Sequence, residues 1–195
     1  MKADLFLLKY GELALKGLNK PVFEKRLLDN IKARLKKIGS FNVFASQSTI
    51  YVEGTENMDA EETLMSLKKV FGVANICPAV RCAKTLDDIE KTAALCLKEE
   101  DLEGKTFKVE AKREDKSFPL NSPALSAEIG GRILSHFPRL KVDVHNPDIV
   151  VMVEIRKDAF VYTKKIKGAG GMPVGTNGKA TILLSGGMTA LLQVI

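Results

Sequence analysis

The chain is predicted to have an α+β fold in which two small mixed units follow each other. Apolar residues alternate between the two-residue period of strands and the 3.6-residue period of helices. The chain has 195 residues, of which 45% are hydrophobic, a globular composition with room for one or two small cores. A glycine-rich segment follows the last predicted element of the second unit.

The first unit is predicted to contain four strands and two helices. Asn19 is a candidate N-cap for a helix whose apolar positions recur at helical spacing until Gly39 ends it. A second helix over 58–71 is expected to turn Leu64, Leu67 and Phe71 inward. Strands are predicted at residues 4–9, 41–45, 49–52 and 74–83. The resulting order, strand-helix-strand-strand-helix-strand, is the ferredoxin-like pattern.

The second unit is predicted to begin with a helix that Thr85 caps, with Asp88 in the N3 position. A strand over 106–111 follows, and Ser122 and Pro123 open another helix that ends near Phe137. Two strands over 149–155 and 160–166 complete this mixed unit.

The last part of the chain is predicted to be a linker that leads into a further strand. Residues 167–178 hold five glycines and one proline, which is typical of a linker or a ligand-wrapping loop. Residues 180–184 are expected to form a buried strand that runs into Ser185, Gly186 and Gly187, whose backbone N–H groups could surround an anion. The predicted domains are residues 1–84, 85–166, 167–178 and 179–195.

The net charge of +6 is unevenly distributed and indicates a polyanionic partner. Residues 1–40 carry ten basic and four acidic side chains, residues 41–105 carry seven and twelve, and residues 106–195 carry thirteen and eight. Clustered Lys and Arg would attract nucleic acid by counterion release. Tryptophan is absent and aromatics make up 6% of the chain, which favours recognition of backbone and shape over base stacking.

Several other classes are disfavoured. The sequence has no stretch of roughly 20 apolar residues, so neither a membrane span nor a secretory signal is expected. Its three cysteines lack CxxC spacing and are expected to be reduced thiols of a cytoplasmic protein without a metal site. A P-loop near Gly178 and Lys179 is disfavoured, because Ala180 replaces the Ser or Thr that would hold magnesium.

Two basic clusters are candidate phosphate contacts. The first helix carries a stripe of Lys25, Lys32 and Lys36, with Lys20 and Arg26 nearby. This stripe is either the solvated face of an amphipathic helix or a ridge that contacts phosphates. The second cluster contains Lys112, Arg113, Lys116 and Arg132.

The helix that begins at Ser122 offers free N–H groups and a positive dipole end to a phosphate. Gly130 and Gly131 weaken this helix, and they serve either close packing of a strand or close approach of RNA.

A family resemblance rests on segments in the same order along nearly the whole chain. Lys9-Tyr10-Gly11-Glu12-Leu13, then Lys16-Gly17 and Asn19, resemble the N-terminal region of bacterial tRNA 4-thiouridine synthetase, a tRNA sulfurtransferase. Similar stretches follow at residues 107–113, 142–148 and 168–176, and the last leads into Leu183-Leu184-Ser185-Gly186-Gly187.

The resemblance implies an N-terminal ferredoxin-like domain, a THUMP domain that recognises tRNA and an ATP pyrophosphatase-loop domain. The family adenylates a uridine in tRNA for sulfur transfer from a cysteine desulfurase, and it also supplies sulfur for thiamine. By this resemblance the two N-terminal domains hold the tRNA acceptor stem and 3′ CCA end. By this resemblance Lys112, Arg113, Lys116 and Arg132 become candidate acceptor-end contacts, and Lys20, Arg26 and Ser122 from the basic helix and the helix N-terminus complete the predicted tRNA contacts. Residual ATP contacts would be Leu183, Leu184, Ser185, Gly186 and Gly187.

The C-terminal residues depart from the family pattern. Thr189 and Ala190 replace the Asp and Ser of the family's Ser-Gly-Gly-x-Asp-Ser loop. We therefore expect residues 179–195 to be a vestige of that domain and the chain to bind tRNA without catalytic residues of its own. The alternatives are an enzyme that retains a nucleotide site at Ser185–Gly187, and an adaptor that associates, for example as a homodimer, through its C-terminal strand.

Overall fold

The structure, a computed structural model, describes residues 3–11, 19–55, 58–176 and 178. The first unit, here called the N-terminal unit, contains β1 (Leu5–Tyr10), α1 (Lys20–Leu35), β2 (Phe41–Ser46), β3 (Thr49–Gly54), α2 (Ala60–Leu67) and β4 (Val73–Cys82). The C-terminal unit contains α3 (Leu86–Lys98), β5 (Thr106–Arg113), α4 (Ser122–His136), β6 (Lys141–Val142), β7 (Ile149–Ile155) and β8 (Ala159–Tyr162). A short strand, β9 (Ile166–Lys167), follows.

The strands join into one sheet in the order β2-β3-β1-β4-β8-β7-β5-β6. The N-terminal unit contributes β2-β3-β1-β4 with antiparallel pairing throughout, which confirms the ferredoxin-like prediction. In the C-terminal unit β5 runs parallel to β6 and β7, whereas β8 is antiparallel to β7. Strand β4 belongs to both halves, because its first part pairs with β1 and Val80–Cys82 pair with β8.

Two helix-covered cores lie on one face of this sheet. Leu27, Ile31 and Leu35 of α1 are buried against β1 and β3, and a second core packs α3 and α4 on β5 and β7. Because side chains alternate along a strand, the other face of β1 carries Leu5 and Leu7. These residues pack in a third cluster with Tyr51, Cys77, Ala79, Phe160 and Tyr162. The helix-free faces of the two units therefore fold onto each other.

Local sequence features explain most helix boundaries. The Thr85 hydroxyl accepts a hydrogen bond from the Asp88 N–H at 3.1 Å, so the predicted cap of α3 is confirmed. Asn19 precedes α1 as predicted, but its side chain makes no capping hydrogen bond. Helix α4 begins at Ser122 as predicted, and Asn121 caps it, with its oxygen 2.9 Å from the Ala124 N–H.

Two predicted elements are shorter in the structure. Helix α2 ends at Leu67, and the turn that follows buries Val70 and leaves Phe71 53% exposed, so the prediction that Phe71 faces inward is wrong. The strand predicted over 160–166 ends at Tyr162 and resumes as β9. The predicted strand at 180–184 lies outside the described residues.

The glycine-rich segment returns to the N-terminal unit as a strap, defined here as residues 166–176. Strand β9 pairs with Asn75 and Ile76 of β4, and the Gly168 N–H donates to the Ala74 carbonyl. A side chain at Gly168 would place its Cβ 2.3 Å from the Val73 carbonyl oxygen, so only glycine fits here. The predicted linker is therefore packed against the domain that begins the chain.

Candidate nucleic-acid interface

A cleft of about 600 Å³ opens where the two units meet, and we call it the inter-unit cleft. Its walls come from both units. Lys9, Tyr10 and the β2–β3 turn line one side, whereas Lys112, Arg156 and Lys165 line the other. Glu110, Glu114 and Asp148 also line it, so the cleft is polar and carries both signs of charge.

At the base of the cleft lies a group of buried polar side chains, here called the buried cluster: Lys9, Thr49, Glu154, Arg156 and Tyr162. Glu154 is fully buried and accepts hydrogen bonds from Lys9 Nζ at 2.8 Å, Tyr162 Oη at 2.7 Å and Arg156 Nε at 3.0 Å. Burial opposes ionisation of this carboxyl, but Lys9, Tyr162 and Arg156 outweigh it and hold its pKa below the ordinary value.

Lys20 lies at one end of the cleft. Its ammonium donates to the Ser48 hydroxyl at 2.7 Å and lies 5.9 Å from the centre of the Tyr10 ring. Both Ser48 and Tyr10 line the inter-unit cleft. The predicted contact residue Lys20 is therefore adjacent to the cleft that Lys112 borders from the other unit.

The other predicted residue of α1, Arg26, lies elsewhere. It is exposed on the helix face beside the strap, where a Cβ on Gly175 would be 3.6 Å from its Nε. The adjacent Asn30 side chain donates to the Val174 carbonyl at 3.0 Å. Arg26 is therefore part of a surface shared by α1 and the strap.

Strand β5 sends the neighbouring residues Lys112 and Arg113 to opposite faces of the sheet. Lys112 is exposed in the cleft. The Arg113 guanidinium turns away and donates to the carbonyls of Phe118 and Leu120, while its backbone N–H donates to the Ser122 hydroxyl at 3.1 Å. Arg113 and Ser122 thus hold the loop between β5 and α4 in place.

That loop carries the exposed Lys116 and is fixed by Asp115. The Asp115 carboxylate accepts from Lys84 Nζ at 2.6 Å and from the hydroxyl and N–H of Ser117. The Lys84 ammonium, followed by these Ser117 contacts, holds the pKa of Asp115 well below its ordinary value. The ionised Asp115 therefore fixes the loop segment that carries Lys116.

Arg132, the last predicted tRNA contact, lies on α4 among carboxylates. Its guanidinium contacts Asp87 and Glu90 at 2.9 Å and Glu128 at 2.7 Å. The hydrogen bonds to Glu128, Glu90 and Asp87 raise the pKa of Arg132 above its ordinary value. The geometry favours a role in joining α3 to α4, and a contact between Arg132 and RNA stays a prediction.

A second concave surface lies between β5 and α4, with a volume of about 710 Å³. Gly130 and Gly131 line it together with Val142 and Val144, two strongly exposed apolar residues. A Cβ at Gly130 would make an ordinary 3.8 Å contact with Val109, and one at Gly131 would meet no atom within 4 Å among the described residues. Packing within this part of the chain does not require either glycine.

Sequence analysis missed the residues that connect the units. Glu154 and Arg156 were not singled out, although an acid within the apolar strand sequence Ile-Val-Val-Met-Val-Glu-Ile is unusual. Lys165, which lines the cleft, was not singled out either, although it lies within the strand predicted over 160–166. The predicted nucleotide residues Leu183 to Gly187 lie outside the described residues.

The described residues show few other candidate sites. They contain no group of three or more side chains suited to hold a metal ion, and the cysteines Cys77, Cys82 and Cys96 are free thiols. None of the helices in this part of the chain is both long and apolar enough to cross a bilayer.

Comparison with known proteins identifies both units. A model described as the ThiI ferredoxin-like domain matches residues 5–77, and a model of the THUMP domain matches residues 83–164. A protein named "Probable tRNA sulfurtransferase" from Alkaliphilus metalliredigens is 49% identical over 187 residues, 95% of this chain and 47% of that protein. The chain therefore contains a ThiI ferredoxin-like domain followed by a THUMP domain. A tRNA sulfurtransferase relative from Thermoanaerobacter pseudethanolicus, also named as probable, is 51% identical over 95% of this chain and 48% of its own length.

Solved structures also match the chain. A 4-thiouridine synthetase in complex with RNA and ATP matches with a TM-score of 0.79 and 31% identity, over 98% of this chain and 48% of that one. A Pyrococcus horikoshii protein matches with a TM-score of 0.78 and 34% identity, over 88% of this chain and 57% of that one. The chain spans about half the length of the curated relatives it matches.

Proposed function

We propose that the chain binds the acceptor end of tRNA through the inter-unit cleft and the cations around it. It would serve as the RNA-binding portion of an ATP-dependent tRNA sulfurtransferase that makes 4-thiouridine. The observation that carries the proposal is that Lys20 and Lys112, which come from different units, lie at one cleft. A backbone that passes along this cleft would contact both units at once.

Exposed lysines without a carboxylate partner, one of them in the cleft, support an RNA ligand. Lys112 and Lys116 are exposed, and no carboxylate of the described residues pairs with either. The same holds for Lys25 and Lys32 on α1 and for Lys36 directly after it. Cations that no carboxylate offsets bind phosphates with release of counterions, and such contacts position a nucleic acid without specifying its sequence.

The groove between β5 and α4 is the part of the surface best suited to an unpaired 3′ end. Its apolar Val142 and Val144 offer surface for bases, and the bare backbone at Gly130 and Gly131 allows a sugar-phosphate chain to approach closely. We propose that the CCA end lies here.

The remaining family properties belong to the same proposal. ATP would bind at Leu183, Leu184, Ser185, Gly186 and Gly187, a cysteine desulfurase would deliver sulfur, and the protein would act in the cytoplasm, with a link to thiamine synthesis. Calorimetry with ATP tests the nucleotide site, and light scattering at rising concentration tests for a homodimer.

The salt dependence of tRNA binding tests the cleft residues. Lys20→Ala and Lys112→Ala should each weaken binding and reduce the slope of log affinity against log salt by about 0.7–0.9, because each removes one phosphate contact. Lys91→Ala is the matched control, since Lys91 is exposed on α3, on the helix-covered face of the sheet. Equal slopes in all three variants would contradict the proposal.

A further inference from the structure

The buried cluster is where the two units make polar contact. Glu154 of β7 and Arg156, which directly follows β7, reach across to β1 and β3. Lys9 Nζ lies 2.8 Å from Glu154, and Arg156 Nη2 lies 3.0 Å from the Thr49 hydroxyl. The Arg156 guanidinium also donates to the Gln47 carbonyl at 3.5 Å. These bonds join residues more than a hundred positions apart in the chain.

The charges of the cluster balance when its neighbour Glu114 is included. Two cations, Lys9 and Arg156, face two carboxylates, Glu154 and Glu114, and Arg156 lies 2.6 Å from Glu114. Glu154 is fully buried and Arg156 is 4% exposed, so neither is free to bind a ligand. The hydrogen bonds of Glu154 and Arg156 require one relative orientation of the two units, because a small rotation between the units would leave buried charges without partners.

The apolar part of the same interface is less directional. Tyr51 and Phe160 meet at 5.5 Å between ring centres, and Leu5 and Leu7 pack beside them. Apolar surfaces can slide with little loss of contact, whereas hydrogen bonds to a buried carboxylate fix distance and angle. The buried cluster is therefore the element that selects one orientation of the units.

We infer that Glu154 is a positioning residue that sets the orientation of the N-terminal unit relative to the C-terminal unit and so keeps their cations aligned as one binding surface. The orientation follows from the structure itself, and the effect on RNA rests on the proposed function. Glu154 contacts no RNA in this account. It acts through Lys9, Arg156 and Tyr162.

Residual dipolar couplings test the orientation without any RNA. In the wild-type chain, couplings from both units should fit one alignment tensor. Glu154→Gln replaces an acceptor oxygen by an amide donor that faces cations, and the units should then require two tensors of different magnitude. Thr49→Val is the milder variant, because it removes only the hydroxyl that Lys9 and Arg156 share.

Thr63→Val is the matched control. Thr63 is as buried as Thr49, each at 1% exposure, but its hydroxyl bonds to Asp59 within the N-terminal unit. This variant should keep a single tensor. If Glu154→Gln does not fold, Thr49→Val decides. A single tensor in every folded variant of the cluster would overturn the inference.

Binding to an acceptor-stem RNA separates this inference from the proposed function. If the aligned arrangement falls to about a tenth of the population, the apparent affinity of Thr49→Val should fall about tenfold. Thr63→Val should bind as the wild type does. Absence of binding by the wild type would overturn the proposed function and leave the tensor result intact, whereas two tensors with unchanged RNA affinity would overturn the claim that alignment serves binding.

Discussion

Lys9 Nζ lies 2.8 Å from the Glu154 carboxylate and joins the first strand of the ferredoxin-like domain to the third strand of the THUMP domain. Glu154 is completely buried, and Lys9 is 22% exposed at the base of the inter-unit cleft. This ion pair links the folding of the two domains to the shape of the cleft that we propose as the tRNA site.

Removal of the Glu154 side chain should strongly destabilise the protein. Glu154→Ala leaves the buried Arg156 and the partly buried Lys9 without their main partner, a change that costs about 3–5 kcal/mol in the free energy of unfolding. Urea denaturation measures this loss. Glu110→Ala, on the neighbouring strand β5 and half exposed, should change stability by less than about 1 kcal/mol. Similar losses in both variants would contradict the account.

Glu154 should also make stability depend on pH on the acid side. Its pKa is lowered in the folded protein, so the stabilisation is complete above the ordinary glutamate pKa. It is lost as the pH falls through the lowered, folded-state value. The difference in unfolding free energy between wild type and Glu154→Gln should therefore stay constant from neutral pH down to the ordinary glutamate pKa and shrink as the pH falls below it. A difference that grows on acidification would show that Glu154 is protonated when folded.

The structure predicts opposite effects on stability for two glycine substitutions. Gly168→Ala should destabilise the strap, because the new Cβ would lie 2.3 Å from the Val73 carbonyl oxygen. Faster hydrogen exchange at the Gly168 and Gly170 amides, which bond to Ala74 and Val73, would report this release. Gly168→Ala with exchange rates equal to the wild type would contradict the packing of the strap.

Gly131→Ala should stabilise helix α4 by about 0.5–1 kcal/mol, since the new methyl group meets no atom within 4 Å among the described residues. If the RNA 3′ end lies in the groove beside it, the same variant should bind tRNA several-fold more weakly. Thermal unfolding and a binding titration together check the two effects. Higher stability with unchanged affinity would remove the groove from the proposed site.

Arg132→Ala should affect stability more than RNA binding. Three carboxylates already surround the guanidinium, so its charge is largely compensated. We expect a lower melting temperature and a tRNA affinity within about twofold of the wild type. An affinity loss as large as that of Lys112→Ala would instead establish Arg132 as a phosphate contact.

Local patterns predicted the helices and the ferredoxin-like order but not the inter-unit contacts. The apolar spacing of Leu27, Ile31 and Leu35 and the cap at Thr85 depend on residues a few positions apart, and the structure confirms both. Phe71 was placed wrongly because no capping residue marks the end of α2 at Leu67. The partner of Glu154 is 145 positions away, a distance that periodicity cannot bridge.

The candidate site was predictable to a similar extent. Charge clustering pointed to Lys20 and Lys112, which the structure brings to one cleft. Charge clustering could not distinguish Lys20 and Lys112 from Arg113, because the face of the sheet to which a strand residue points depends on the register of the strand. Arg113 follows Lys112 directly, yet it bonds to loop carbonyls on the opposite face.

The most direct test of the central claim is a titration of the purified chain into fluorescent tRNA, with and without the 3′ CCA, at two salt concentrations. We expect binding that weakens at higher salt, weakens further without the CCA, and is reduced by Lys112→Ala but not by Lys91→Ala. Binding that is insensitive to salt, to the CCA and to Lys112 would contradict the assignment of this cleft as the tRNA acceptor-end site.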